Sequence, residues 1–264
     1  MKPSRLDVNG VDVAYRRAGS GPPVLYLHGS GLTRRWLPLY DELARSFDVI
    51  VPEHPGYGDT VRPAWYRSLD DFAPHYADLL TALDLQDAHV AGHSVGGLIA
   101  GNFAATYPER VRSLTLIAPG PIPLVTAPFA PPKDLPPGFD FDSLMLNDNQ
   151  ADYEEYRNAD DLGRVVAEAD DDFADPGVFS HVEPATLYRR LARVRCPAQV
   201  LVPDDDRLIS TDVFQAWSHW LGDAPIVRIH GERNSTGHLL TVQEPAAIAA
   251  QTAELAQTAE RKRG

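Results

Sequence analysis

Ser94, His238 and the run Asp204-Asp205-Asp206 are the residues of this chain whose types and order best suit covalent chemistry. Ser94 stands in Gly92-His93-Ser94-Val95-Gly96-Gly97, between an apolar run and a stretch of helical spacing. A serine on a sharp strand-to-helix turn is held in a strained backbone conformation, and the residues two positions either side must be small for strand and helix to approach. Gly92 and Gly96 occupy those positions. Such a turn lifts the hydroxyl to a helix N-terminus, where backbone N–H groups and the helix dipole favour developing negative charge. The bare Gly-x-Ser-x-Gly pattern occurs by chance in about one chain in ten of this length, so its setting carries the weight. The competing reading is a glycine-rich turn that binds phosphate or merely packs closely.

A serine hydroxyl needs a base, and nine histidines compete. His28 and His93 belong to glycine-rich loops, His230 ends a strand-like run, and His54, His75, His89, His181 and His219 default to surface or core positions. His238, in Ser235-Thr236-Gly237-His238, follows the last strand-like run and precedes the last helical stretch, where a loop returns it toward the serine. The aspartate triplet follows another strand-like run and precedes His238, matching the order nucleophile, acid, histidine. One of the three is expected to face the imidazole and the others water. His28-Gly29-Ser30-Gly31 follows the run at 23–27, and its small residues let a backbone N–H of the loop join that of Val95 as oxyanion donor. No His-Glu-x-x-His or other zinc-ligand spacing occurs, and this chemistry needs no metal or cofactor.

The elements that must hold these residues follow from periodicity. Residues 6–16 alternate about Asn9-Gly10, a tight-turn dipeptide, and predict an antiparallel hairpin. Short apolar runs at 23–27, 47–51, 88–91, 114–118, 199–202 and 226–229 predict strands buried on both faces. Helical spacing covers 36–46, 68–83, 95–107, 212–221 and 244–259. This order predicts an α/β fold with a mostly parallel twisted sheet and helices on both faces. Eight prolines between 119 and 137 break the rhythm, and the chain is expected to leave the sheet there. The predicted division is a core of 1–120 and 191–264 with an inserted lid at 121–190, helical around 152–169.

The 264 residues carry 24 Lys+Arg against 37 Asp+Glu, a formal net charge of -13. This balance argues against nucleic acid as a partner and disfavours anionic membrane surfaces, because both require clustered cations. Most of the acidity is local: residues 138–190 hold 14 acidic and 4 basic side chains. Cys196 is the lone cysteine, which suits a reducing compartment. The start of the chain has no secretory pattern, and no apolar run is long enough to cross a bilayer, so a cytoplasmic protein without membrane insertion is expected.

Taken together, HGSG at 28–31, EHPGYGDT at 53–60, GHSVGG at 92–97, PERVRSLTLIAPG at 108–120, PDDDRL at 203–208 and TGHL at 236–239 resemble the α/β-hydrolase family, specifically its lid-bearing serine hydrolases. The resemblance spans nearly the whole chain outside the insertion. It implies that the acid stands three residues after the position of a strand-closing glycine, here Pro203, which selects Asp206 with Asp205 as the alternative. Glu53 departs from the family's more common Asp, and Asp59-Thr60 from its serine-rich continuation. Ser94, Asp206 and His238 are then the expected catalytic residues, with oxyanion donors at Ser30 and Val95.

The family reading implies hydrolysis of a carboxylic ester of a small neutral or hydrophobic molecule. Gly31, Phe141, Leu144 and Met145 are candidate pocket residues. The rival enzymatic reading is carbon–carbon cleavage of vinylogous diketones, whose enzymes tend to have Gly-Asn-Ser before the nucleophile and a longer oxyanion loop. Lactone, thioester, cyanohydrin and perhydrolysis chemistry use the same fold. A ligand receptor with slow turnover is the alternative of another class, and a homodimer is compatible with all of these.

Overall fold

The computed structural model describes residues 1–120, 145–147, 149–153, 156, 184–232 and 234–263. The proline-rich passage at 121–137 and most of the helix expected at 152–169 lie outside the described residues.

Strands β1 (Ser4–Val8) and β2 (Val11–Gly19) form the expected hairpin. Asn9 and Gly10 both have positive φ, 50° and 85°, the mirror-image turn whose twist matches its flanking strands. Six further strands follow: β3 (Pro23–Leu27), β4 (Asp48–Pro52), β5 (Ala88–His93), β6 (Val111–Ile117), β7 (Ala198–Pro203) and β8 (Ile226–Ile229). They form one sheet in the order β1-β2-β4-β3-β5-β6-β7-β8. β2 pairs antiparallel with β1 and β4, and every other pairing is parallel.

The helices are α1 (Pro38–Ala44), α2 (Phe72–Ala82), α3 (Val95–Thr106), α4 (Pro184–Leu191), α5 (Thr211–Trp220), α6 (Leu240–Gln243) and α7 (Pro245–Arg263). α1 and α7 pack together over one face of the sheet, while α2, α3, α4 and α5 form a contiguous layer on the other. α1 begins later than periodicity predicts, because Pro38 suits a first helical turn and the preceding residues turn instead. The stretch at 68–83 opens as a short 3-10 turn, Leu69–Asp71, capped reciprocally by Ser68 and Asp71, before α2 proper.

Strands β3, β5 and β6 are almost fully buried, as runs covered on both faces must be. β8 departs from that expectation. It is the edge strand, with Ile226 and Arg228 exposed, since a terminal strand has a neighbour on one side only. Trp217 is fully buried against Gly101 of α3, where a Cβ would lie 2.5 Å from the indole ring. Its Nε1–H donates to the Gly120 carbonyl at 3.0 Å, which fixes the chain just after β6.

Candidate active site

Ser94 joins β5 to α3 with φ 54° and ψ -121°, a conformation that L-residues adopt only under constraint. Its N–H donates to the Ile117 carbonyl, and its carbonyl accepts from Gly97, Leu98 and Gly120. The glycines permit this crossing. A Cβ on Gly92 would strike the Gly96 carbonyl, and one on Gly96 would strike the Leu27 carbonyl at the end of β3. The strained serine is therefore held by three strand ends and by Trp217 through Gly120.

The loop after β8 brings His238 to this serine. His238 Nε2 lies 3.0 Å from Ser94 Oγ, and its Nδ1 lies 2.9 Å from Asp206 Oδ2. The imidazole and the carboxylate are buried, 1% and 3% exposed, which shields their interaction from water. Asp206 Oδ1 accepts the N–H groups of Leu208 and Ile209 at 3.0 and 2.8 Å, locking the carboxylate's orientation. The chain Asp206–His238–Ser94 is the geometry in which an imidazole receives a hydroxyl proton.

The three adjacent aspartates have three different settings. Asp206 faces the imidazole. Asp205 is exposed and pairs with Arg207 at 3.1 Å. Asp204 corrects the expectation that the remaining two face water: it is only 22% exposed and binds His230 Nδ1 at 2.7 Å. Burial pushes its carboxyl up, but the N–H groups of Gly231 and Thr236 and the His230 ring outweigh that and hold it below the usual range. The loop carrying His238 passes β7 closely, and Asp204 is the acceptor for its Gly231 and Thr236 N–H groups.

On the other side of Ser94 runs the loop 28–33. A Cβ on Gly29 would lie 2.7 Å from His93 Nδ1 and 3.2 Å from Ser94 Cβ, so the loop crosses directly over the serine. Gly31 and Leu32 both have positive φ, 94° and 58°, which turns the chain back after Ser30. Among the described residues, the N–H groups of Ser30 and Val95 have no protein acceptor. Beneath the loop, His28 stacks on His54 at 3.8 Å. His28 donates Nδ1–H to the Gly29 carbonyl and accepts the His54 N–H at Nε2, while His54 Nε2–H donates to the His28 carbonyl and its Nδ1 accepts from the Tyr76 hydroxyl. Burial lowers His28 to about 4 and His54 well below the ordinary value, so both are neutral struts.

Glu53 has a structural task beneath the same loop. Its carboxylate pairs with Arg16 at 2.9 Å, both groups buried, and Arg16 also donates to the Thr33 carbonyl. The other oxygen accepts the Asp59 N–H, so one carboxylate joins β2, the loop at 53–60 and the end of the loop over Ser94. His93, whose ring centroid lies 5.1 Å from that of His238, donates Nε2–H to the His238 carbonyl at 2.9 Å. Burial, reinforced by the nearby His238, pushes His93 down to about 3, which keeps a second cation away from the site.

Periodicity and motif reading passed over Asn147 and Asn149. Asn147 Nδ2 donates to the carbonyls of Asp205 and Thr236, and Asn149 Nδ2 donates to that of Ser235. Nothing local marks either residue, because their partners lie far away in sequence. Met145 is buried, and its carbonyl accepts the Leu239 N–H at 2.8 Å. Phe141 and Leu144 lie outside the described residues. Among the described residues, no cluster of three or more His, Cys, Asp or Glu side chains could hold a metal ion.

This fold and this serine–histidine–aspartate arrangement define a class of hydrolase scaffold, and residues 22–235 match the family described as alpha/beta hydrolase fold. The chain belongs to that family. It is similar to a 2-hydroxy-6-oxo-2,4-heptadienoate hydrolase of Pseudomonas putida, 34% identical over 113 residues, 41% of each chain. It is likewise similar to an uncharacterized protein of Mycobacterium tuberculosis, 38% identical over 114 residues, which are 43% of this chain and 33% of that one. The chain thus spans well under half the length of these curated relatives. In fold it is similar to a meta-cleavage product hydrolase from Pseudomonas fluorescens, with a TM-score of 0.74 at 19% identity, covering 97% of this chain and 98% of that one.

Proposed function

We propose that this hydrolase cleaves a carboxylic ester of a small neutral or hydrophobic molecule through an acyl-enzyme. The observation that carries the reading is the continuous chain from Asp206 through His238 to a strained Ser94. His238 Nε2 takes the Ser94 proton as Oγ attacks the carbonyl, and Asp206 holds the Nδ1–H tautomer and stabilises the resulting imidazolium. The N–H groups of Ser30 and Val95 receive the oxyanion. His238 then protonates the leaving alcohol. Water, deprotonated by the same imidazole, attacks the acyl group and releases the acid and free Ser94.

In this reading residues 121–190 are a lid, and Gly31, Phe141, Leu144 and Met145 are the candidate pocket residues. The 14 acidic and 4 basic side chains at 138–190 favour neutral over anionic substrates. The expected setting is the cytoplasm; among the described residues no helix is long and apolar enough to cross a membrane.

A second reading, carbon–carbon hydrolysis, draws on the similarity to the heptadienoate hydrolase. His93 in place of the asparagine usual before that nucleophile, and the short loop at 28–31, favour the ester. A panel of p-nitrophenyl esters, lactones, thioesters and a vinylogous diketone, run on wild type and Ser94→Ala, separates the two. Ester turnover lost in Ser94→Ala is expected, with fluorophosphonate mass labelling confined to Ser94. Exclusive turnover of the diketone overturns the ester assignment, and an unlabelled serine favours a receptor.

A further inference from the structure

The loop carrying His238 is gripped by a segment that is not part of the β/α core. Met145–Asn147 and Asn149 lie against residues 235–239, and the contacts are directional. The Leu239 N–H donates to the Met145 carbonyl at 2.8 Å, and Gln243 links the Leu146 carbonyl (3.4 Å) to the Gly237 N–H (2.8 Å). The residues immediately before and after His238 are therefore both tied to 145–146. A Cβ on Gly237 would lie 2.8 Å from the Met145 carbonyl oxygen and 2.9 Å from Asn147 Oδ1, so this approach requires glycine.

We infer that Asn147 is a positioning residue of the proposed triad: its carboxamide staples the loop bearing Asp206 to the loop bearing His238, so their geometry depends on the inserted segment. Nδ2 carries two hydrogens, and its two nearest acceptors are the carbonyls of Asp205 at 3.0 Å and Thr236 at 3.1 Å. Those residues stand one position before Asp206 and two before His238. The Ser235 hydroxyl, at 3.4 Å, is a longer third partner. Asn147 is 2% exposed, and its Oδ1 is buried without a hydrogen-bond partner among the described residues. An amide that leaves its oxygen unpaired is oriented by its donors, because flipping it would press that oxygen against two carbonyls. Its φ of 55° is one that asparagine tolerates better than most residues.

Asp204 already ties the start of its loop to Gly231, Thr236 and His230. Asp205 N–H donates to the Thr236 carbonyl at 3.1 Å, and Asp204 N–H to the Thr236 hydroxyl at 2.8 Å. Asn147 shares that Thr236 carbonyl and adds the Asp205 carbonyl, so one buried carboxamide holds both loops immediately beside Asp206 and His238.

The inference rests on the hydrolase reading, and the test keeps the two apart. Asn147→Ala removes the staple, Asn147→Asp keeps its shape but aims oxygen at both carbonyls, and Gly237→Ala displaces the segment, Asn147 included, without changing the carboxamide itself. Turnover of p-nitrophenyl acetate is measured together with the downfield NMR signal of the His238 Nδ1–H, with rates normalised to the fraction folded by near-UV circular dichroism. The expected result is a kcat lower by about 10- to 100-fold in all three, with KM within about twofold and the Nδ1–H signal shifted or lost. Wild-type kcat per folded molecule and an unchanged signal in Asn147→Ala overturn the staple, even if that variant is less stable. Wild type that neither turns over the ester nor reacts with a fluorophosphonate overturns the hydrolase reading instead, and the NMR comparison still tests the staple.

Discussion

Asp206→Asn should abolish most turnover while leaving the fold nearly as stable as wild type, for a reason visible in its hydrogen bonds. Asp206 Oδ1 is claimed by the N–H groups of Leu208 and Ile209, and only Oδ2 faces His238. In the asparagine variant the amide oxygen must stay with the two backbone donors, which turns the NH2 toward His238 Nδ1. Nδ1 must then accept, so the ring proton moves to Nε2 and faces Ser94, where it blocks removal of the hydroxyl proton. A wrong tautomer of this kind costs about ten-thousandfold in kcat, or roughly 5.5 kcal/mol in the transition state. Asp205→Asn, altering an exposed pair with Arg207, should change stability by less than about 0.5 kcal/mol and leave kcat near wild type. Asp204→Asn should cost about 1–3 kcal/mol of stability by weakening the acceptor for Gly231, Thr236 and His230. Steady-state hydrolysis of an activated ester and urea unfolding of the three variants provide the comparison. If Asp206→Asn keeps kcat within tenfold of wild type, or if Asp205→Asn is the more harmful change, the assignment of roles among these aspartates is wrong.

Two further outcomes follow from groups around the site. Glu53→Gln leaves the buried Arg16 guanidinium without its counter-charge and should cost about 3–5 kcal/mol, read as a lower urea midpoint; an unchanged midpoint would show that the pair does not hold the loop over Ser94. Burial lowers His28 and His75 to about 4 and His93 to about 3, whereas the unfolded chain titrates them at their ordinary value of 6.5. The unfolded state thus binds protons first as pH falls, so the stability these neutral rings contribute is full above 6.5 and lost as pH drops toward 4. These three rings alone should add up to about 4 kcal/mol per pH unit to the loss, measured as urea midpoints between pH 7 and 4.5. A flat profile over that range would contradict the burial of these rings in their neutral form.

Much of the scaffold could be read along the chain. The hairpin at Asn9-Gly10, the buried strands and the glycine-flanked serine depend on alternation, apolar runs and turn chemistry, all carried by residues within a few positions of one another. The exposed edge strand is not legible for the converse reason: its residues are apolar enough to pass as central, and only the count of neighbouring strands reveals that β8 has one. The helix boundaries shifted where Pro38 and the Ser68–Asp71 cap redirected the backbone.

The sequence by itself determined the fold class and the order of serine, aspartate triplet and histidine, because covalent order and local periodicity are written in one dimension. Which neighbours share a pocket was decided in three. Asp206 was selected by a hydrogen-bonded turn that aims one carboxylate inward, Asp204 by the loop it supports, and Asn147 by acceptors 58 and 89 positions away. A hydrogen bond forms only where a donor and an acceptor meet within about 3 Å and in line, and the packed chain alone creates such meetings between distant residues.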